Sequence, residues 1–235
     1  GATEQHGRHL PLGTDSLMVE WICEQAASRV EGVAVAPAVM YGTSHNHDDF
    51  PGTVSLSLET LRRVLVDVGV GLLGHGFDIL VIVNGHGGNL AACAAAAYDL
   101  REATGRMVAQ FIWTAMVQEA WRVMESPVIW HADESETSLM LAIAPELVHL
   151  ERAVDEVPPG LPFFHFTEAS LLERRIDLGL PRTSALSRSG TIGEARKADA
   201  SKGRAVLAEA VANLVDTLNR LREAAGVLSQ HLSRP

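Results

Sequence analysis

Apolar residues along the chain follow two different spacings, and each spacing predicts one kind of secondary structure. Short runs rich in Val and Ile predict buried strands, because a strand covered on both faces has no polar side. These runs span Val33–Val39, Asp78–Asn84 and Met107–Trp113. Longer segments carry apolar residues at helical intervals, which is typical of amphipathic helices. These segments span Asp15–Val30, Leu58–Leu73, Leu90–Thr104, Glu136–Ile143 and Ala200–Ala225.

The alternation of strands with helices predicts an α/β fold. Helices that connect parallel strands cover both faces of the sheet, so we expect three α/β/α layers around a mainly parallel central sheet. The chain shows no internal repeat or low-complexity linker, and its 235 residues fit a single domain spanning residues 1–235. The segment Asp155–Arg188 is rich in Pro, Phe and Arg and has little periodicity. We expect it to form a long excursion, either a lid or a subunit contact.

A first polar cluster lies at the start of the chain. Glu4 and His6 are two residues apart, and Asp15 follows in a Gly-Thr-Asp turn. On an extended segment, residues two apart face the same side, so Glu4 and His6 form a chelating pair suited to Zn, Mn or Fe. In the alternative interpretation, Asp15 only caps the next helix, and His6 and His9 are surface residues.

A second polar cluster, Asn84-Gly85-His86-Gly87-Gly88-Asn89, follows the clearest predicted strand. Ligand sites of parallel sheets form at the carboxyl ends of strands, which places His86 well for metal ligation. Phosphate binding at a helix N-terminus is the alternative for such a glycine-rich loop. No Lys-Ser or Lys-Thr pair and no GxGxxG follows, so the sequence does not favour a nucleotide site.

Two further segments carry candidate chemistry, and a tryptophan lies near them. The segment Trp130–Ser138 contains His131, Asp133, Glu134 and Glu136, which are either site residues or capping and solvated groups at a helix start. The polar loop Gly42–Thr53 contains His45 and His47, which either line a site as ligands or are exposed. Trp113 ends a predicted strand and is either a pocket wall or a core residue.

Charge and composition exclude some classes of partner. The net charge of -10 argues against nucleic acid and against anionic membrane surfaces, since both attract Lys and Arg. No apolar run is long enough to span a bilayer. The two cysteines, Cys23 and Cys93, lie in apolar helical segments, which predicts buried thiols in a reducing, cytoplasmic compartment. The chain begins inside the first polar motif, and the sequence leaves open whether the natural protein extends N-terminal of Gly1.

The motifs EQHG, LPLGTD, FPGT, NGHGGN and HADESETS occur in the order found in the creatininase family, which the chain therefore resembles. The likeness is dense from Gly1 to about Pro145, with a weaker echo near Gly190–Arg204. It implies a creatininase-like α/β/α fold, often assembled as a hexamer. It also implies two divalent metal ions, one held by Glu4, Asp15 and His86 and the other by His6 and Asp15, with Asp15 as the bridge.

The chain departs from the family pattern at two positions. Gly88 stands where creatininase has a glutamate that completes the second metal site, so we expect Glu134 to supply this carboxylate, with Glu136 as the alternative. His131 matches the family's catalytic histidine, and Trp113 matches a tryptophan that closes over creatinine. The second tryptophan of that pocket falls near Pro127, which leaves the creatinine pocket incomplete.

The resemblance implies a metal-dependent amidohydrolase that cleaves a creatinine-like, non-peptide or cyclic amide C–N bond with metal-activated water. His131, or Glu134 or Glu136 where these do not bind metal, would be the acid or base. His47 and Trp113 would line the substrate, and the N–H groups of Gly87 and Gly88 would stabilise an oxyanion.

Several alternatives stay open at this point. Two come from the same family, a formamide deformylase and a small-peptide peptidase. The third is a non-catalytic ligand-binding or scaffold protein. We expect a homo-oligomer whose partner is a small-molecule amide. The sequence leaves the exact substrate and the identity of the metal open.

Overall fold

The structure is a computed structural model that describes residues 1–158 and 181–232, with side chains described as far as residue 226. Its α-helices are α1 (Thr14–Ala27), α2 (Leu58–Gly74), α3 (Leu90–Thr104), α4 (Glu134–Ile143) and α5 (Ala200–Leu232). Its strands are β1 (Ile79–Asn84), β2 (Met107–Ile112), β3 (Ile129–His131), β4 (Asp155–Glu156) and β5 (Ile192–Glu194).

Strands β1 and β2 form a parallel pair in which Ile79 lies opposite Met107 and Asn84 lies opposite Ile112. Successive side chains of a strand point to opposite faces, and here each face meets different helices. Leu80 and Ile82 pack into a cluster with α2 and α3, while Val83 packs into a cluster with α1, α4 and α5. Helices therefore cover both faces of the parallel pair, which confirms the predicted α/β fold.

A second, antiparallel sheet has the strand order β3-β5-β4 among the described residues. It carries His131 at the end of β3. Ala132 follows with a φ of 47°, a left-handed conformation that turns the chain from β3 into α4. Asp133 caps α4, since its Oδ1 accepts hydrogen bonds from the N–H groups of Ser135 and Glu136. Of the two interpretations of this segment, capping holds for Asp133, and α4 begins at Glu134.

The main core lies between α1, α4 and α5. Its fully buried side chains include Met18, Ile22, Leu139, Met140 and Leu214. Gly203 lets α5 approach α4 closely, because a Cβ atom at this position would lie 2.0 Å from the Ser138 carbonyl oxygen. This contact fixes α4, and with it the acidic residues of its first turn.

Three expectations differ from the structure or stay untested. Val33–Val39 is not a strand, so that prediction was wrong: the segment has no strand partner among the described residues, and it lines a cavity of about 780 Å³ that β1 also lines. Most of the predicted excursion, residues 159–180, lies outside the described residues. The single-domain organisation stays a prediction. No described helix has the length and apolar character that crossing a membrane requires.

Candidate metal centre

The candidate site begins at the carboxyl end of β1. His86 follows Asn84 by two residues, and two hydrogen bonds with the Asn84 side chain fix the intervening turn. At Gly85, a Cβ atom would lie 2.6 Å from the Asp15 carbonyl oxygen, so the absence of a side chain lets the start of α1 approach. The turn therefore brings His86 and Asp15 together from distant parts of the chain.

The N-terminal segment supplies the next two side chains. The N–H group of Glu4 donates to the Leu12 carbonyl, and that of Gln5 donates to the Thr53 hydroxyl. These bonds hold Glu4 and His6 in an extended segment whose side chains are fully buried. Asp15 lies in the first turn of α1 and does not cap that helix, whose N-cap residue is Gly13. The surface and capping interpretations of this cluster are therefore wrong for His6 and Asp15.

Glu4, Asp15 and His86 form a first group whose ligand atoms lie within 4.8 Å of one another. The Nε2 atom of His86 lies 3.3 Å from Glu4 Oε2, and its Nδ1 atom lies 3.2 Å from Asp15 Oδ2. The first metal group predicted from the sequence is thus brought together.

His6, His131 and Glu136 form a second group within the same limit. His6 Nε2 lies 3.7 Å from Glu136 Oε2 and 3.4 Å from Asp15 Oδ1. Asp15 therefore faces both groups, with one carboxylate oxygen toward His6 and the other toward His86. This is the arrangement that a bridging aspartate requires.

A third group joins Glu4 to His47 and His131. Glu4 Oε1 lies 3.5 Å from His47 Nε2 and 3.8 Å from His131 Nδ1, and the two imidazole rings lie 4.2 Å apart. His45, by contrast, is exposed and pairs with Asp48. Of the two loop histidines, the fold brings only His47 to the site.

Several buried atoms of the site have no hydrogen-bond partner among the described residues. They are Glu4 Oε1, Glu4 Oε2, His6 Nε2 and Asp15 Oδ2. Leaving buried charged groups without partners costs several kcal/mol, and coordination of a cation removes that cost. Carboxylate oxygens and imidazole nitrogens are ligands that Zn, Mn and Fe all accept. The donor set therefore fits divalent metal ions.

The electrostatics of the site favour positive charge beside its carboxylates. Burial acts to lower the pKa of His6, but Asp15 and Glu136 outweigh burial and raise this pKa to about 10. Burial likewise acts to lower the pKa of His86, while Glu4 and Asp15 raise it to about 9. Burial itself raises the pKa of Glu136 to about 8. A divalent cation would satisfy the same carboxylates without a proton.

His47 and His131 behave in the opposite way. Burial, followed by the neighbouring His6 and His86, lowers the pKa of His47 to about 3. Burial and the nearby His47 also hold the pKa of His131 well below its usual value. Both imidazoles are therefore neutral near pH 7, which is the state a proton acceptor or a neutral hydrogen-bond donor needs.

The expectation that Glu134 completes the second metal group does not agree with its position. The Glu134 carboxylate accepts hydrogen bonds from the N–H groups of Glu125 and Ser126, and Lys202 Nζ lies 2.5 Å from its Oε1. Glu136, the alternative considered for this role, lies beside His6 instead. The reason is helical geometry, since side chains two residues apart in α4 point in different directions.

The surroundings of Gly88 agree with the absence of the glutamate that creatininase carries at this position. A Cβ atom at Gly88 would lie 2.1 Å from the Thr43 carbonyl oxygen and 2.5 Å from His86 Nε2, so a larger residue requires a shift of its neighbours. The Thr43 hydroxyl also donates to the Gly88 carbonyl. The role of the Gly87 and Gly88 N–H groups in oxyanion binding stays a prediction.

Trp113 lies in the hydrophobic core, with 3% of its surface exposed. Its ring packs against Trp121 at a centroid distance of 5.8 Å. This position favours the core interpretation of Trp113 over the pocket wall.

The site also contains Gln5, to which the sequence assigned no role. Its side chain contacts His47. In the sequence, only its position between Glu4 and His6 could have indicated a role at the site.

A sequence model described as "Creatininase: Creatinine amidohydrolase" matches residues 1–218. The chain belongs to the creatininase family. The chain is 34% identical to the mycofactocin precursor peptide peptidase of Mycobacterium ulcerans, covering 94% of this chain and 82% of the relative. It is 34% identical to the 3-dehydro-scyllo-inosose hydrolase of Thermotoga maritima, covering 94% and 74%. It is 31% identical to the creatinine amidohydrolase of Pseudomonas putida, covering 93% and 86%.

Solved creatininase structures share the fold. One, of creatinine amidohydrolase, superposes with a TM-score of 0.76 at 29% identity and covers 94% of this chain and 87% of its own. A creatininase of the Mn form superposes with a TM-score of 0.75 at 28% identity, with coverages of 94% and 88%. A mutant creatininase is described as the Zn-Zn type. The family and its creatininase-like fold confirm that this chain is an amidohydrolase.

Proposed function

We propose that the chain hydrolyses the C–N bond of a small non-peptide or cyclic amide at a centre of two divalent metal ions, Zn, Mn or Fe. Glu4, Asp15 and His86 would hold one ion, and His6, Asp15 and Glu136 would hold the other. The observation that carries the proposal is the Asp15 carboxylate, whose oxygens face imidazoles of both groups at 3.4 and 3.2 Å.

Metal ions held in this way supply Lewis-acid chemistry, which polarises an amide carbonyl and activates water. The chain's own contribution is proton transfer and orientation. His131 is neutral and turns its Nδ1 atom toward Glu4, so it can accept a proton at Nδ1. The leaving nitrogen of an amide must be protonated, and His131 can return its proton to that nitrogen.

The second candidate function is the trimming of a short modified peptide. Two observations favour it: the peptidase of Mycobacterium ulcerans is similar over 94% of this chain, and Trp113 lies in the core. A tryptophan buried in the core does not supply the wall of a creatinine pocket. A formamide substrate is a third possibility within the same chemistry, since a relative in Methanothermobacter thermautotrophicus is described as a deformylase.

The proposal is tested by elemental analysis of the purified protein together with a panel of cyclic amides, formamides and short peptides. We expect two divalent ions per chain and turnover of one amide class. A scaffold protein that has kept only the fold would show no turnover with any of them.

Matched variants locate the metal. The substitutions Glu4→Ala and His86→Ala remove ligands and should abolish metal binding and activity together. His45→Ala is the control, because this exposed histidine lies outside all three groups. Full metal content and full rate in His86→Ala would refute the assignment. The homo-oligomeric state and the cytoplasmic location stay predictions.

A further inference from the structure

The buried side-chain amide of Gln5 lies between the imidazoles of His47 and His131. Two backbone groups fix which end of the amide faces which way. The Gly7 N–H donates to Gln5 Oε1 at 2.9 Å, and Gln5 Nε2 donates to the Gly190 carbonyl at 3.2 Å. A flipped amide would set donor against donor at Gly7 and acceptor against acceptor at Gly190, so these two contacts assign this orientation.

The fixed amide determines where His47 carries its proton. Gln5 Nε2 lies 2.8 Å from His47 Nδ1, and an amide nitrogen can only donate. His47 Nδ1 must therefore hold a lone pair, and the ring proton must be on Nε2. That Nε2–H faces the metal centre, 3.5 Å from Glu4 Oε1.

Two other contacts are consistent with this assignment. The Thr183 hydroxyl lies 3.0 Å from His47 Nδ1, but a hydroxyl can donate or accept and so adapts to either tautomer. His131 Nε2 lies 2.7 Å from the backbone carbonyl oxygen of Gln5, so it donates there. Gln5 Nε2 also lies 3.0 Å from His131 Nε2. Because the His131 Nε2 proton goes to the shorter contact with the Gln5 backbone carbonyl, the two Gln5 amide hydrogens go to His47 and Gly190.

We propose that Gln5 is a positioning residue that holds His47 as a permanent N–H donor facing the metal centre. The proposal rests on the proposed amide hydrolysis for its catalytic meaning. A preorganised N–H aimed at the reacting carbonyl stabilises the oxygen that gains negative charge. A nitrogen that carries a proton cannot ligate a metal ion, so the group of Glu4, His47 and His131 is not a third cation position.

The tautomer is measured directly by 15N NMR of the imidazole nitrogens in the protein loaded with zinc, a diamagnetic d¹⁰ ion. In the wild type we expect the His47 proton on Nε2. In Gln5→Glu we expect it on Nδ1, because a carboxylate can only accept there. Thr183→Val is the matched control and should leave the wild-type tautomer. A proton on His47 Nδ1 in the wild type overturns the proposal. The wild-type spectrum is therefore a sufficient test even if Gln5→Glu does not fold.

Kinetics test whether the effect of Gln5 passes through His47. We expect Gln5→Glu and His47→Ala each to lower kcat by about 100-fold while KM changes by less than about threefold. The double variant should be no slower than His47→Ala alone, since both changes remove the same donor. Losses that multiply in the double variant overturn the proposal. Absence of all amide turnover contradicts the proposed function instead, and the NMR result still decides the tautomer.

Discussion

The carboxylate of Glu136 lies 3.7 Å from His6 Nε2, in the position that the sequence assigned first to Glu134. We therefore expect Glu136→Gln to lose one of two bound metal ions, because a neutral amide is a poor ligand in this position. The rate should fall by at least about 100-fold. Elemental analysis and kcat/KM on the same preparation measure both effects.

Glu134→Gln is the matched control for that experiment. It makes the same chemical change two residues away, at a carboxylate bound by Lys202 and backbone N–H groups. We expect it to keep both metal ions. Loss of metal in Glu134→Gln together with full metal in Glu136→Gln would reverse the assignment of the two carboxylates.

A second prediction concerns the buried ion pair of Glu134 with Lys202. Lys202→Met leaves the fully buried Glu134 carboxylate without its cation, which should destabilise the fold by about 3 kcal/mol. Urea unfolding measures this change. The double variant Glu134→Gln/Lys202→Met should recover part of the loss, because no charge then stays buried alone. Equal stability of the single variant and the wild type would contradict the prediction.

The sequence predicted most of the candidate site because its motifs combine residue type with position. His86 follows a strongly apolar strand, and the carboxyl end of such a strand is where sites form. The spacing of Glu4 and His6 gives a shared face on any extended segment. These local rules need no knowledge of distant contacts, which is why they point to Glu4, His6 and His86 as candidate ligands. The resemblance to the creatininase family, and not the spacing, supplied their grouping around Asp15.

The remaining errors concern long-range geometry. Choosing between Glu134 and Glu136 requires the start of α4 and the position of Lys202, which lies 68 residues further along the chain. Val33–Val39 has a strand-like composition, but a strand also needs a hydrogen-bonded neighbour, and composition does not supply one. The role of Gln5 depends on Gly190, which is 185 residues away, and no local pattern announces that contact.

A third prediction follows from Glu156, which holds the loop leading to Gly190. Burial acts to raise the pKa of Glu156, but hydrogen bonds from Ser189, Arg188 and Ser187 outweigh it and lower the pKa from 4.5 to about 2. A depressed folded-state pKa stabilises the fold above pH 4.5, and this stabilisation is lost as the pH falls from 4.5 toward 2.

Glu156→Gln should therefore cost about 1 kcal/mol at pH 7, a value that allows for solvent screening of this partly exposed group. The difference from the wild type should shrink as the pH approaches 2. Urea unfolding at pH 7 and at pH 3 measures it, with the exposed Glu146→Gln as control. A difference that grows on acidification would contradict the assignment.

The fourth prediction concerns Gly190, which has a φ of 87° and lies against the Gln5 amide. A Cβ atom there would lie 1.9 Å from Gln5 Oε1, so Gly190→Ala must both strain the backbone and displace Gln5. We expect a loss of about 1–3 kcal/mol in stability. We also expect a fall in kcat close to that of Gln5→Glu, since His47 loses the partner that fixes its proton.

Gly71→Ala is the control for this prediction, because nothing lies within 4 Å of a Cβ atom at Gly71 in the interior of α2. An alanine there should be neutral or stabilising by about 0.5–1 kcal/mol. Thermal unfolding and kcat at a temperature where both variants are folded separate the two effects. A Gly190→Ala variant with reduced stability but wild-type kcat would mean that His47 keeps its orientation without Gln5.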